Sequence, residues 1–177
     1  MNIEKADYGT IIKFGTLYDI LNKLKIEQNS IQEIIEWKDA KDMSLLEISI
    51  VSRKFDVSKF LLDNGAQVNN VSKSGSNEFH YLASNLNCEG AVEIGEILLE
   101  KKTSLMQKEI KYGNTAFFSL CIEAFKTRST SVMKFVEKCF NEVTSVDEPN
   151  RNGMTIRKLI NERGSDKLKK LLKEKYE

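Results

Sequence analysis

Apolar residues recur along this chain at helical spacing. Ile31, Ile34 and Ile35 share one helical face, as do Val57, Phe60 and Leu61, and alternation of period two is almost absent. The expected fold class is all-α. Residues 1–15 are mixed and predict a short helix or a frayed arm. Ile20, Leu21 and Leu24 mark a helix from Thr16, and Ile31, Ile34, Ile35 and Trp37 mark a second, in which Trp37 is expected to pack. Their other faces carry Lys, Glu and Gln, which suits a capping pair with one side in water.

From residue 44 the pattern tightens. Leu45, Leu46, Ile48 and Ile50 mark a short helix that should leave Glu47 and Ser49 exposed. A second helix buries Val57, Phe60 and Leu61, and Gly65 stands where a left-handed residue would close it. A helix-turn-helix unit this small buries its apolar face only when copies stack beside it. Three copies are visible. Gly75, Gly113 and Gly153 each stand two residues before a polar residue, followed at fixed offsets by large apolar side chains. The polar residues Ser44, Asn77, Thr115 and Thr155 are 33, 38 and 40 residues apart, and are expected to cap their helices by accepting backbone N–H bonds.

The second helices of the later units carry Val92, Ile94, Ile97 and Leu98, then Val132, Met133, Phe135 and Val136, then Leu168, Leu171 and Leu172. Phe117, Leu120, Cys121 and Ile122 are expected inside the third unit, with Phe118 at the edge of its inner face. Lys102 replaces the Gly seen at residue 65, so that helix either continues or is capped differently. Extra residues at 85–90 and 126–131 predict protruding loops. Residues 1–43 thus form amino-terminal capping helices, and residues 44–177 form a stack of four units whose last is the carboxyl-terminal cap.

This organisation resembles the ankyrin-repeat family, whose units run G-x-T-P-L-H-x-A-A, then a V-V-x-x-L-L pair, then G-A-D-V-N. Leu61–Asn69 matches the closing segment with Gln67 in place of Asp. Asn77, Glu78, Phe79 and His80 stand at T-P-L-H with only the histidine kept, and Thr115 and Thr155 keep the threonine. No unit has the helix-opening Pro. The resemblance covers residues 44–177 and extends, in degenerate form, to 16–43. It implies an all-α ankyrin-repeat solenoid with finger-like connecting loops, in which His80 ties neighbouring units together. It also implies a function, the recognition of another protein by the finger tips and inner helices.

Counting back from each opening Gly places Lys73 and Ser74, Lys111 and Tyr112, and Arg151 and Asn152 on the tips. Lys73, Lys111 and Arg151 then form a basic row suited to an acidic partner surface, with Tyr112 as an aromatic anchor. Phe118 and the loop at 126–131 are further candidates.

Composition narrows the alternatives. With 177 residues and 41% hydrophobic content the chain can bury a continuous core, and nine Gly and one Pro argue against a turn-rich sheet protein. A formal net charge of +1 gives no basic field for a nucleic-acid backbone. No run is long and apolar enough to cross a bilayer, and the start lacks a signal arrangement, so a cytoplasmic protein is expected. Cys88, Cys121 and Cys139 are widely spaced with no C-x-x-C pair, which points to reduced thiols and to neither disulfide nor zinc.

His80 is the only histidine, and the chain has no G-x-S-x-G, H-E-x-x-H or Gly-rich phosphate loop. The expectation is a non-catalytic monomer without cofactor or metal, acting as a stoichiometric inhibitor or immunity-like protein. Two alternatives stand beside it. One is an enzyme using Cys88 or Cys121. The other is a scaffold subunit assembling through its ends, which exposed apolar residues on a terminal unit would favour and the lysine-rich last helix opposes.

Overall fold

Short polar side chains set the helix starts. The computed structural model describes all 177 residues as eleven helices and no strand. These are α1 (Tyr8–Phe14), α2 (Leu17–Glu27), α3 (Ile31–Ile34), α4 (Leu45–Val51), α5 (Phe55–Asp63), α6 (Glu78–Ala83), α7 (Ala91–Glu100), α8 (Ala116–Thr127), α9 (Thr130–Phe140), α10 (Ile156–Arg163) and α11 (Asp166–Tyr176). The hydroxyls of Ser44, Thr115 and Thr155 accept the N–H groups of Glu47, Phe118 and Lys158 at 3.2, 3.1 and 3.1 Å. Asn77 opens α6 in a reciprocal box with His80.

Each of α4, α6, α8 and α10 pairs with the helix that follows it. The first members of the pairs pack on one another in an inner row, and α5, α7, α9 and α11 do so in an outer row. One continuous core runs from Tyr8 to Leu172, with Phe79, Phe117, Phe135 and Phe140 among its largest fully buried side chains. Each such ring contributes about 1.5–3 kcal/mol by leaving water.

The amino-terminal cap is displaced from its expected place. It is α1, not the helix from Thr16, that packs on α4, and α2 packs behind α1. Of the two expectations for residues 1–15 the short helix holds, and its Tyr8, Ile11 and Ile12 are buried in the core. Close approach explains the arrangement: a β-carbon at Gly9 would lie 2.9 Å from the ring of Trp37, so α1 crosses directly over it. The expected second helix shrinks to the four residues of α3.

Glu47 and Ser49 are likewise buried, against expectation, because α4 is flanked by α1 on one side and α6 on the other. The Ser49 hydroxyl donates to the Leu46 carbonyl and meets Ser58 Oγ at 2.8 Å. Lys102 does close α7, taking a left-handed φ of 62° where Gly65 after α5 has 91°.

Neither inserted segment protrudes. Asn85 accepts from Arg53 Nε at 2.8 Å and donates to the carbonyls of Ile50 and Val51, pinning residues 85–90 to the preceding unit. The other insertion is absorbed by α8, which runs twelve residues against six or seven for α6 and α4.

The two ends of the stack differ in character. At the amino end Phe14 is 77% exposed, and Met1, Tyr18, Leu21 and Ile26 are exposed around it. The carboxyl end is polar, though Lys175 turns inward and donates to the carbonyls of Phe140, Asn141 and Val143 at the end of α9. No helix is long and apolar enough to cross a membrane.

Candidate protein-binding face

Four finger-like turns precede the inner helices, and each is closed by its own first polar side chain. Asp39 Oδ1 accepts from the N–H groups of Lys41 and Met43 at 2.8 and 3.0 Å, and Asn150 Oδ1 accepts from those of Asn152 and Met154 at 2.9 and 3.0 Å. Ser72 plays the same part less completely, in a hydroxyl cluster with Ser74 and Tyr81. The third finger uses Glu109, whose carboxylate accepts from Lys111, Tyr112 and Asn114 N–H at 2.6, 2.8 and 3.0 Å. A longer side chain spans a longer turn. Gly113 N–H donates to Glu109 four residues back, whereas Gly75 and Gly153 donate three residues back to Ser72 and Asn150.

This extra residue shifts the register of the tips. Successive fingers are joined by backbone bonds from Lys73 N–H to Lys41 O, Ile110 N–H to Ser74 O and Arg151 N–H to Tyr112 O, at 2.9, 2.8 and 2.8 Å. Lys73, Ile110 and Arg151 therefore occupy one position, and counting back from Gly113 misplaces Lys111 by one residue. The expected basic row is interrupted by exposed Ile110.

The remaining candidates are placed as follows. Lys73 lies back on the first finger, its ammonium donating to Ala40 O at 2.9 Å. Lys111 stands over the Tyr112 ring, 4.7 Å from its centroid, and Tyr112 is 46% exposed. Arg151 and Asn152 are exposed, and the Arg151 Cγ lies 3.3 Å from the β-carbon that Gly113 lacks. Phe118 is buried at 5% exposure and serves as the wall of a recess. Lys126 and Thr127 belong to α8 and Thr130 and Ser131 to α9, leaving left-handed Arg128 and Ser129 as a brief connection.

Two recesses lie between fingers and inner helices. One of about 310 Å³ is bordered by Ser76, His80, Glu109 and Glu123, and a second of about 420 Å³ by Phe118, Asn150, Met154 and Leu159. Tyr112, Asn114 and Ile122 line both, so Tyr112 stands as the divider of one groove over the last three units. Ile122 had been expected in the core; it and Met154 are site residues that the sequence pattern conceals. The only available signal is that Ile122 lies one helical turn after Phe118 on the same face.

His80 is buried at the edge of the first recess. It accepts from Asn77 N–H through Nδ1 and donates through Nε2 to the Asn114 carbonyl at 3.2 Å, bracing the second inner helix against the third finger. Burial pushes its pKa below the ordinary histidine value, which favours this neutral ring. Cys121 is fully buried, and burial pushes its thiol well above the usual range; Cys139 moves the same way. Cys88, the other cysteine of the enzyme alternative, is half-buried. No group of three or more His, Cys, Asp or Glu side chains is placed to hold a metal ion.

The largest recess, about 650 Å³, lies beside α1 and α2 and is rich in carboxylates. Most of these have structural duties. Asp7 and Glu33 cap helices, and Glu27 accepts from Tyr8 OH at 2.7 Å and pairs with buried Lys23 at 2.6 Å. Comparison with protein-family models and with curated proteins finds no match to this chain.

Proposed function

We propose that this chain is a non-catalytic protein-binding module of the ankyrin-repeat type, which seats a partner protein on its finger tips and inner helices. The observation that carries the reading is the ladder of backbone bonds joining four successive fingers beside an open groove. It fixes side chains from several units along one surface with no single residue essential, as repeat-protein recognition requires. Of the residues that resemble catalytic candidates, His80 and Cys121 are occupied in packing, and half-buried Cys88 has no histidine beside it in sequence. The module acts by occupancy, as a stoichiometric inhibitor or immunity-like protein working where it is made, in the cytoplasm.

The test uses the purified chain as bait in a lysate of the cells that make it, beside a form carrying Lys73→Glu, Lys111→Glu and Arg151→Glu. One protein is expected in stoichiometric amount, reconstituting a complex when purified and lost with the reversal. Capture indifferent to both the reversal and Tyr112→Ala would exclude this face.

A second reading is a scaffold subunit whose amino-terminal end pairs with a second copy. It is favoured by the exposed cluster of Phe14, Tyr18 and Leu21, which the polar carboxyl end does not match. Light scattering across a concentration series separates the two. A constant monomer mass retires the scaffold, and a mass that doubles, and falls back with Phe14→Ser and Tyr18→Ser, supports it.

A further inference from the structure

The finger tips beside the groove carry cations without an acidic partner. On the finger wall Lys111 and Arg151 are exposed, and neither has a carboxylate within ion-pair distance. The acids just before Arg151 are already engaged, Glu148 with Lys108 at 2.9 Å and Asp147 with Arg157 at 2.6 Å. Glu109, the acid closest in sequence to the tip, directs both carboxylate oxygens into its own turn. On the helix wall Glu123 borders the first recess, 3.6 Å from Lys126, and Glu162 and Arg163 border the second side by side, so that wall carries no net charge there.

Between these walls the second recess offers Tyr112, Phe118, Ile122, Met154 and Leu159. Its 420 Å³ lies at the small end of ligand-sized pockets, roughly 300–1,000 Å³, which suits one inserted side chain better than a whole element. Two aromatic rings and a thioether favour an aromatic guest. Lys111, standing over the Tyr112 ring, and exposed Arg151, between the lining residues Asn150 and Asn152, favour carboxylates beside the recess on the finger side.

We propose that this groove takes an extended acidic segment of the partner protein, which inserts one aromatic side chain between Tyr112 and Leu159 and sets its carboxylates against Arg151 and Lys111. The inference rests on the protein-binding reading above and names the anchor within it.

The experiment is an amide NMR titration of the full chain with three acetylated, amidated pentapeptides: Asp-Glu-Phe-Glu-Asp, the same with Ala for Phe, and Lys-Lys-Phe-Lys-Lys. Ligands so short are expected to bind with dissociation constants of about 1 mM or weaker, within reach of such titrations. The acidic aromatic peptide should move the amides of Tyr112, Ile122 and Met154. The alanine peptide, and the Arg151→Glu variant with the original peptide, should each bind about tenfold more weakly, with Arg151→Lys restoring most of the loss.

Shifts at the first two fingers without the recess would overturn the anchor and leave the module reading standing. Equal binding of the lysine peptide would overturn the charge assignment. Absence of any shift would overturn the inference alone, since the module reading is judged by capture and its loss on charge reversal.

Discussion

Gly95 shows how much a single side chain, or its absence, determines in this stack. It sits inside α7, where glycine costs about 1 kcal/mol relative to alanine through backbone entropy. On propensity alone Gly95→Ala would stabilise. The packing says otherwise: a β-carbon there would stand 2.5 Å from the Phe135 ring and 3.0 Å from a Leu82 methyl. Phe135 is itself buried and packs near Phe79 with ring centroids 6.5 Å apart, so it has little room to retreat. Overpacking of this kind costs about 1–3 kcal/mol. Gly95→Ala should therefore lower the urea midpoint, with a net loss of up to about 2 kcal/mol once the propensity gain is subtracted. A rise in the midpoint would mean that α9 shifts freely against α7. Lys102 is the converse case, a non-glycine residue in a left-handed cap, which shows that geometry at a helix end is held by the chain around it.

At the scale of elements, helix starts were legible because the capping residue and the apolar residues after it are local signals. Ser44, Thr115 and Thr155 each cap where the pattern placed them. What escaped was everything set by a neighbour. Glu47 and Ser49 fit the polar face of an isolated amphipathic helix, and only the packing of α1 and α6 on both sides of α4 buries them. The extra residues within 126–131 suggested a loop, yet Lys126 and Thr127 continue α8 and Thr130 and Ser131 open α9, because α8 has a buried face along its length from Ala116 to Phe125 to pack on.

The finger register failed for a similar reason. Counting back from Gly113 assumes equal turns, and Glu109 closes one residue more than Asn150 does. That error matters for the candidate face, because it puts an apolar side chain, Ile110, in the row where a cation was expected. The groove itself was beyond the pattern, since Ile122 reads as an ordinary core residue, and only the packing of the units sets it and Met154 beside Tyr112.

Across the whole molecule, stability should respond to pH through two buried groups of opposite sense. Glu47 is 0% exposed, with Oε2 accepting from Ser44 N–H and the Asn70 amide and Oε1 left without a partner. Burial, with the nearby Glu78 carboxylate adding to it, pushes its pKa up to about 7 against the bonds from Ser44 and Asn70. Glu78, buried on α6 and accepting from the N–H groups of Asn69 and Asn70, moves upward too. A carboxyl whose folded pKa lies above its unfolded value contributes stability at pH below that unfolded value, and this is lost as pH rises through the folded one. Glu47 thus disfavours the fold as pH climbs from 5 to 8, and Glu78 acts in the same sense.

His80 opposes them. Its pKa is lowered by burial, so its contribution is present above the ordinary histidine value and is lost as pH falls. The two slopes partly cancel in the native chain, and Glu47→Gln removes the larger carboxyl term. Glutamine retains an oxygen to accept the Ser44 N–H, and it leaves one amide group unpartnered where Oε1 was. The variant should be equal to or slightly weaker than the native chain at pH 5, and more stable by about 1–3 kcal/mol at pH 8, where the native carboxyl must be buried as a charge. Urea unfolding at the two values measures the crossover. An equal loss at both would show that Glu47 acts through hydrogen bonding alone and stays ionised in the fold.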